Sequence, residues 1–182
     1  RVVEWAEDGA PLILSGTIAD IAERKQAELA LRQAATVFEN TQEGVMITDA
    51  EVNIIAVNRA FADITGYSLA DGQGRKPSVL GSGRHDMAFY QEMWRAIDAS
   101  GHWQGEICNR RRNGEVYPQL TTVNAVTDEL GRITHYVGVF TDVSAIKASE
   151  ENVQFMAQHD LLTRLPNRQL LFARLERVMG SA

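Results

Sequence analysis

The chain has 182 residues, of which 45% are hydrophobic and 23% charged, with a formal net charge of −6 and a single cysteine. This balance describes an ordinary soluble fold with room for one domain and pieces of others. The acidic charge excludes non-specific nucleic-acid binding, and one cysteine excludes an internal disulfide or a multi-cysteine metal site and fits a reducing compartment.

No run of about 18 apolar residues is present, so direct membrane contact is not expected. The sequence opens on Arg1 with no signal peptide after it, which reads as an internal, cytoplasmic segment of a longer chain. Residues 1–16 read as the end of a sheet, with a turn at Asp8-Gly9 and a short apolar run from Pro11 to Gly16. The stretch GTIADIAERKQ (Gly16 to Gln26) is echoed by GVFTDVSAIKA (Gly138 to Ala148) at an offset of 122 residues, and Gly9 aligns with Gly131. Unless that match is coincidence, one whole unit lies between two copies of the same ending. Residues 20–38 are helical by composition, with Ala27, Leu31, Ala34 and Phe38 on a 4-3-4 spacing. Val153 and Met156 repeat the pattern after the second copy, with Ile146 one heptad earlier. Paired helices of a homodimer fit this spacing, and so do single amphipathic helices docked on their own domain.

Between the helices the spacing predicts strands over 45–48 and 54–57, joined by a turn around Asp49 to Asn53. Asn58 is a natural N-cap for a short helix that carries Phe61 and Ile64 and stops at Gly66. Residues 71–84 are rich in Gly, Ser, Pro and Lys and read as loop or short broken helix. Asp86 caps a firmer helix with Phe89, Met93, Trp94 and Ile97 at helical spacing, and three strands follow over 103–110, 116–126 and 133–141. The order implies an α+β fold, a five-stranded antiparallel sheet with helices on one face and linker helices on its flanks.

The strand from Trp103 alternates. Trp103, Gly105, Ile107 and Asn109 share one face, and Gln104, Glu106, Cys108 and Arg110 share the other. The first set is apolar except for Asn109, so an amide is aimed inward and needs a partner in a strand, a water or a ligand. A three-residue loop, Arg112-Asn113-Gly114, puts Arg111 opposite Glu115 and Asn109 opposite Tyr117, with Gln119 on the same face. A two-residue Asn113-Gly114 turn would send Gln119 to the other face. The longer loop is expected, because it gathers both amides. The run Arg110-Arg111-Arg112 at the hairpin tip reads as solvated.

Asn58-Arg-Ala-Phe61, Thr65-Gly66-Tyr67, Asn109-Arg-Arg-Arg-Asn-Gly114 and Gly138-Val-Phe-Thr-Asp142 together resemble a PAS domain, over residues 36–147 with the domain proper at 39–143. Residues 1–19 then resemble the last strands of a preceding PAS domain, and 20–38 and 144–158 become linker helices. Asp160-Leu-Leu-Thr-Arg-Leu-Pro-Asn-Arg168 resembles the opening of a GGDEF domain, the diguanylate cyclase fold, over 159–182. The GG(D/E)EF loop and the segments that hold metal and GTP in that family are absent from the sequence. The resemblance therefore implies a regulatory segment, not an enzyme, that controls a GGDEF domain in cis and works as a dimer. One residue departs from the family pattern: Val52 stands where the turn between the first strands usually has glycine. A β-branched residue disfavours positive φ, so a rearranged turn is expected.

Ser82-Gly-Arg-His-Asp86, Met93-Trp94, Trp103-Gln-Gly105 and Asn109-Arg-Arg resemble the flavin-binding redox sensors of the aerotaxis and nitrogen-fixation type. That resemblance implies FAD in the domain, with Asn109 on the isoalloxazine edge and Trp94, Arg84 and His85 on the adenine and phosphate side. Trp103, Gln119 and Phe140 complete the implied site, and Asp142 would pass strain from the last strand into the following helix. The alternative is a cofactor-free PAS module for dimerisation and relay. A light-driven thiol adduct needs a cysteine on the helical side of the pocket, whereas Cys108 is on a strand and faces outward. Haem would need His85 as its axial ligand. His102 and His135 read as strand-end surface residues, and His159 as part of the linker.

Overall fold

The computed structural model describes residues 17–159, together with 165 and 167. The expected strands of a preceding domain, and nearly all of the expected GGDEF segment, lie outside the described residues.

Eleven elements follow in order. They are α1 (Thr17–Asn40), β1 (Gly44–Asp49), β2 (Ile54–Val57), α2 (Arg59–Thr65), α3 (Leu69–Gly72), a 3-10 turn (Pro77–Leu80), α4 (Met87–Ser100), β3 (His102–Arg110), β4 (Val116–Thr127), β5 (Ile133–Asp142) and α5 (Ser144–Gln158). The five strands form one sheet in the order β2-β1-β5-β4-β3, with every neighbouring pair antiparallel. The fold is the α+β arrangement expected from the sequence, with element ends within a few residues of the reading.

Local chemistry sets the boundaries. Asn58 caps α2 by accepting the Phe61 N–H at 2.9 Å, and Gly66 ends it in the left-handed region at φ 76°. Asp86 caps α4 in the same way through the Phe89 N–H, also at 2.9 Å. Asn58 does more than cap. Its Oδ1 also accepts the Val45 N–H at 2.8 Å, and its Nδ2 donates to the carbonyls of Phe38 at 3.1 Å and Glu43 at 2.9 Å. Four bonds from one buried amide tie the end of α1 to β1 and α2.

The turn after β1 corrects the sequence expectation. Val52 is not replaced by a rearranged path; it occupies the left-handed region at φ 66°, where a β-branched residue is strained. The turn is held around it. Asn53 donates its backbone N–H to Asp49 Oδ1 at 2.7 Å and its amide to Oδ2 at 3.0 Å, and Lys76 Nζ donates to the Glu51 carbonyl at 2.9 Å.

The apolar core is split in two. Phe61, Leu80 and Phe140 form one cluster, and Met93, Ile97 and Ile107 form the other. Each such side chain contributes about 1.5–3 kcal/mol by leaving water. Phe61 and Phe140 meet edge to face at 5.8 Å, and Gly44 is required there because a Cβ would lie 2.4 Å from the Phe140 ring. The flanking helices are largely exposed: Leu31 is 72% and Val153 64% accessible.

Candidate functional site

Between the two clusters lies a cavity of about 560 Å³, in the size range of small-molecule sites. Its inner wall is sheet: Asn109 from β3, Gln119 and Thr121 from β4, Phe140 from β5. Its outer wall is Met93, Trp94 and Tyr90 of α4, the segment from Lys76 to Gly83, and His85.

The β3–β4 register explains why polar groups collect on that wall. Asn109 pairs with Tyr117 and Ile107 with Gln119, while the Arg111 N–H donates to the Glu115 carbonyl at 2.8 Å, with Gly114 at φ 92°. The loop is therefore Arg112 to Gly114, as expected, and both amides face inward. Tyr117 Oη donates to Gln119 Oε1 at 2.9 Å, and Gln119 Nε2 donates to Thr121 Oγ1 at 2.8 Å. Burial pushes the Tyr117 phenol up to about 12, so it stays a hydrogen-bond donor at neutral pH.

Asn109 is different. It is 8% exposed and lines the cavity, yet among the described residues no group hydrogen-bonds its side-chain amide. Asn58, at 2% exposure, uses its amide fully. The Asn109 amide is not sealed from solvent, so a water or a ligand in the cavity can meet it.

The structure brings Asn109, Gln119, Trp94, His85 and Phe140 together around the cavity and leaves Trp103 and Arg84 off its walls. The Trp103 indole folds over Gly105, whose Cβ would lie 2.5 Å from the ring, and meets Phe89 edge-on at 6.0 Å. Trp103 is therefore part of the packing behind the wall. Arg84 is exposed. His85 stacks on Phe89 at 4.1 Å, and its Nε2 accepts the Cys108 N–H at 2.8 Å. That bond occupies the Nε2 nitrogen through which an axial haem ligand would act. Cys108 does not line the cavity. His102 and His135 are exposed, and among the described residues no cluster of His, Cys, Asp or Glu is arranged for a metal ion.

One residue of the arginine run departs from the expectation of a solvated tip. Arg111 is not solvated; its side chain is 16% exposed and pairs with Asp142. It also donates to the Ile64 carbonyl at 2.5 Å, bonds Glu115 at 3.1 Å and lies 3.9 Å over the Tyr117 ring centroid. The alternation contained the signal, since Arg111 falls on the inward face with Asn109. Asp142 Oδ1 accepts the Ser144 N–H at 2.8 Å, at the first turn of α5. Burial works to raise its carboxyl, and the bonds from Ser144 and Arg111 outweigh that, holding it below the ordinary value.

A PAS-fold family model matches residues 32–143, more than half of the chain. The chain belongs to the PAS family. A nitrogen fixation regulatory protein of Klebsiella oxytoca is 33% identical over 119 residues, 65% of this chain and 24% of that protein. The aerotaxis receptor of Escherichia coli is 26% identical over 106 residues, 58% of this chain and 20% of the receptor. This PAS chain thus spans about a quarter or less of those relatives. A solved PAS domain from Colwellia psychrerythraea superposes with a TM-score of 0.60 at 22% identity, covering 64% of this chain and 98% of that one. A PAS domain is a regulatory sensor module rather than a catalytic one, and no described helix is long and apolar enough to cross a membrane.

Proposed function

We propose that this PAS domain is a redox or oxygen sensor that holds FAD in the cavity and regulates a cyclic-di-GMP enzyme on the same chain. The observation that carries the reading is Asn109, a largely buried residue whose amide has no partner among the described residues and faces a largely apolar space. A flavin ring offers a flat apolar face with a donor and acceptor edge, which suits one free amide beside Gln119 and Thr121. Similarity to the nitrogen fixation and aerotaxis proteins supports the same choice. When bound, the flavin supplies a redox change that alters the protonation of its ring edge.

The protein's own part begins at that edge. Asn109, Gln119 and Thr121 would hold it, and Trp94, Tyr90 and Met93, on the helical side of the cavity, would cover it. A change in what Gln119 or Thr121 must donate or accept alters the hydrogen bonds running to Tyr117 Oη. Tyr117 lies under Arg111, Arg111 pairs with Asp142, and Asp142 holds the Ser144 N–H. A connected route of contacts thus runs from the cavity to the start of α5, which leads toward Asp160 to Arg168, the segment resembling the opening of a GGDEF domain. In the full-length protein, Asp142→Ala should change cyclase output while leaving flavin content as it was.

Exposed apolar residues on both flanking helices favour a homodimer through α1 and α5 as the frame for this signal. The site is tested by a pair of variants. Asn109→Ala should weaken FAD binding roughly five- to a hundred-fold, while Cys108→Ala, on the other face of β3, should leave it unchanged. The reverse outcome would refute the assignment of the site.

A further inference from the structure

The cavity is chemically uneven. Its sheet wall is polar but uncharged, through Asn109, Gln119 and Thr121. Its exposed rim contains Lys76 and Ser78. No carboxylate lines it among the described residues, and the Nε2 of His85 is taken by the Cys108 N–H. Lys76 is the one lysine or arginine among the described lining residues.

That ammonium is also fixed in place. One N–H goes to the Glu51 carbonyl at 2.9 Å, in the turn where Val52 is strained and itself lines the cavity. Two N–H groups remain for another acceptor. The carboxylate of Asp49 feels Lys76 but takes its hydrogen bonds from the two Asn53 donors, and Lys76 forms no ion pair among the described residues. Arg84, the cation expected from the sequence to serve this purpose, is absent from the wall.

We infer that Lys76 is the anion-recognition residue of the site, binding the phosphate of a ligand whose ring lies on Asn109. This rests on the flavin reading above and adds to it a preference for phosphorylated flavins. Lysine serves phosphate as a point charge, and a partly exposed contact of this kind is salt-sensitive.

The test is a set of binding titrations with riboflavin, flavin mononucleotide and FAD, at low and high salt, on wild type and on Lys76→Gln, Lys76→Arg and Arg84→Gln. Glutamine keeps a donor for the Glu51 carbonyl and removes the charge. Wild type should favour flavin mononucleotide over riboflavin by about five-fold at low salt. Lys76→Gln should bring that ratio near one without changing riboflavin affinity, Lys76→Arg should restore it, and Arg84→Gln should leave it alone. FAD following flavin mononucleotide would place the contact on the phosphate next to the ribityl chain. FAD alone responding to Lys76→Gln would place it on the outer phosphate. Undiminished affinity of Lys76→Gln for both flavin mononucleotide and FAD overturns the role of Lys76 while the flavin reading stands. Failure of wild type to bind any of the three overturns both.

Discussion

Arg111 and Asp142 form an ion pair that joins the β3–β4 hairpin to the last residue of β5, two residues before α5 begins at Ser144. The same guanidinium reaches the carbonyl of Ile64 at the end of α2. Three separate parts of the chain therefore meet on one side chain, and the helix that leaves the domain starts from that junction.

Removing either partner should loosen the junction. Arg111→Ala and Asp142→Ala should each destabilise the domain, and a double-mutant cycle by urea unfolding should give a coupling energy of about 1–3 kcal/mol. Additivity of the two substitutions would contradict the pairing.

The pair also fixes a pH response. The folded pKa of Asp142 lies below its ordinary value of 3.8, so its contribution is fully present above that value and lost as pH falls through the lower folded value. Acid titration of stability should therefore be less steep below pH 3.8 in Asp142→Asn than in wild type. Identical acid profiles would show that the carboxylate is not held by its partners.

Val52→Gly should stabilise the chain. The left-handed conformation costs a non-glycine residue about 1–2 kcal/mol, and glycine returns roughly half of that as chain entropy, leaving a gain of about 0.5–1 kcal/mol in thermal or urea unfolding. A loss of stability would mean that the valine side chain at the cavity contributes more than its backbone costs.

The two buried asparagines should behave in opposite ways. Asn58→Ala removes an N-cap and strands three other backbone groups, and should cost roughly 2–4 kcal/mol. Asn109→Leu, in flavin-free protein, should be neutral or stabilising by up to about 1 kcal/mol, since it replaces an amide that the protein does not satisfy. Strong destabilisation by Asn109→Leu would make Asn109 a structural residue.

Leu31→Asp tests the flanking helices. If α1 pairs with its copy, a charge placed among Ala27, Ala34 and Phe38 should shift the protein toward monomer in light scattering. A wild type that is already monomeric at tens of micromolar, the scale of weak association, would remove the dimer from the account.

Much of this was legible because it depends on local chemistry. Asn58, Gly66 and Asp86 mark helix ends through single side chains, and the alternation from Trp103 to Arg110 fixed which groups face inward. What was missed depends on distance along the chain. Arg111 finds Asp142 across 31 residues and Ile64 across 47, and nothing within the hairpin announces either partner. Trp103 was placed on the correct face but at the wrong surface, because a tryptophan beside Gly105 can fold along the strand instead of pointing into the cavity. Val52 was expected to rearrange its turn, and local bonds from Asn53 to Asp49, with one from the distant Lys76 to Glu51, hold it in a conformation its own side chain disfavours.

The most direct measurement is the visible absorption spectrum of the purified protein after incubation with excess FAD and removal of the unbound flavin. A bound flavin band in wild type, lost or strongly reduced in Asn109→Ala and retained in Cys108→Ala, is the expected result. A wild-type protein that stays colourless would contradict the sensor and leave a cofactor-free module that relays signals through its flanking helices.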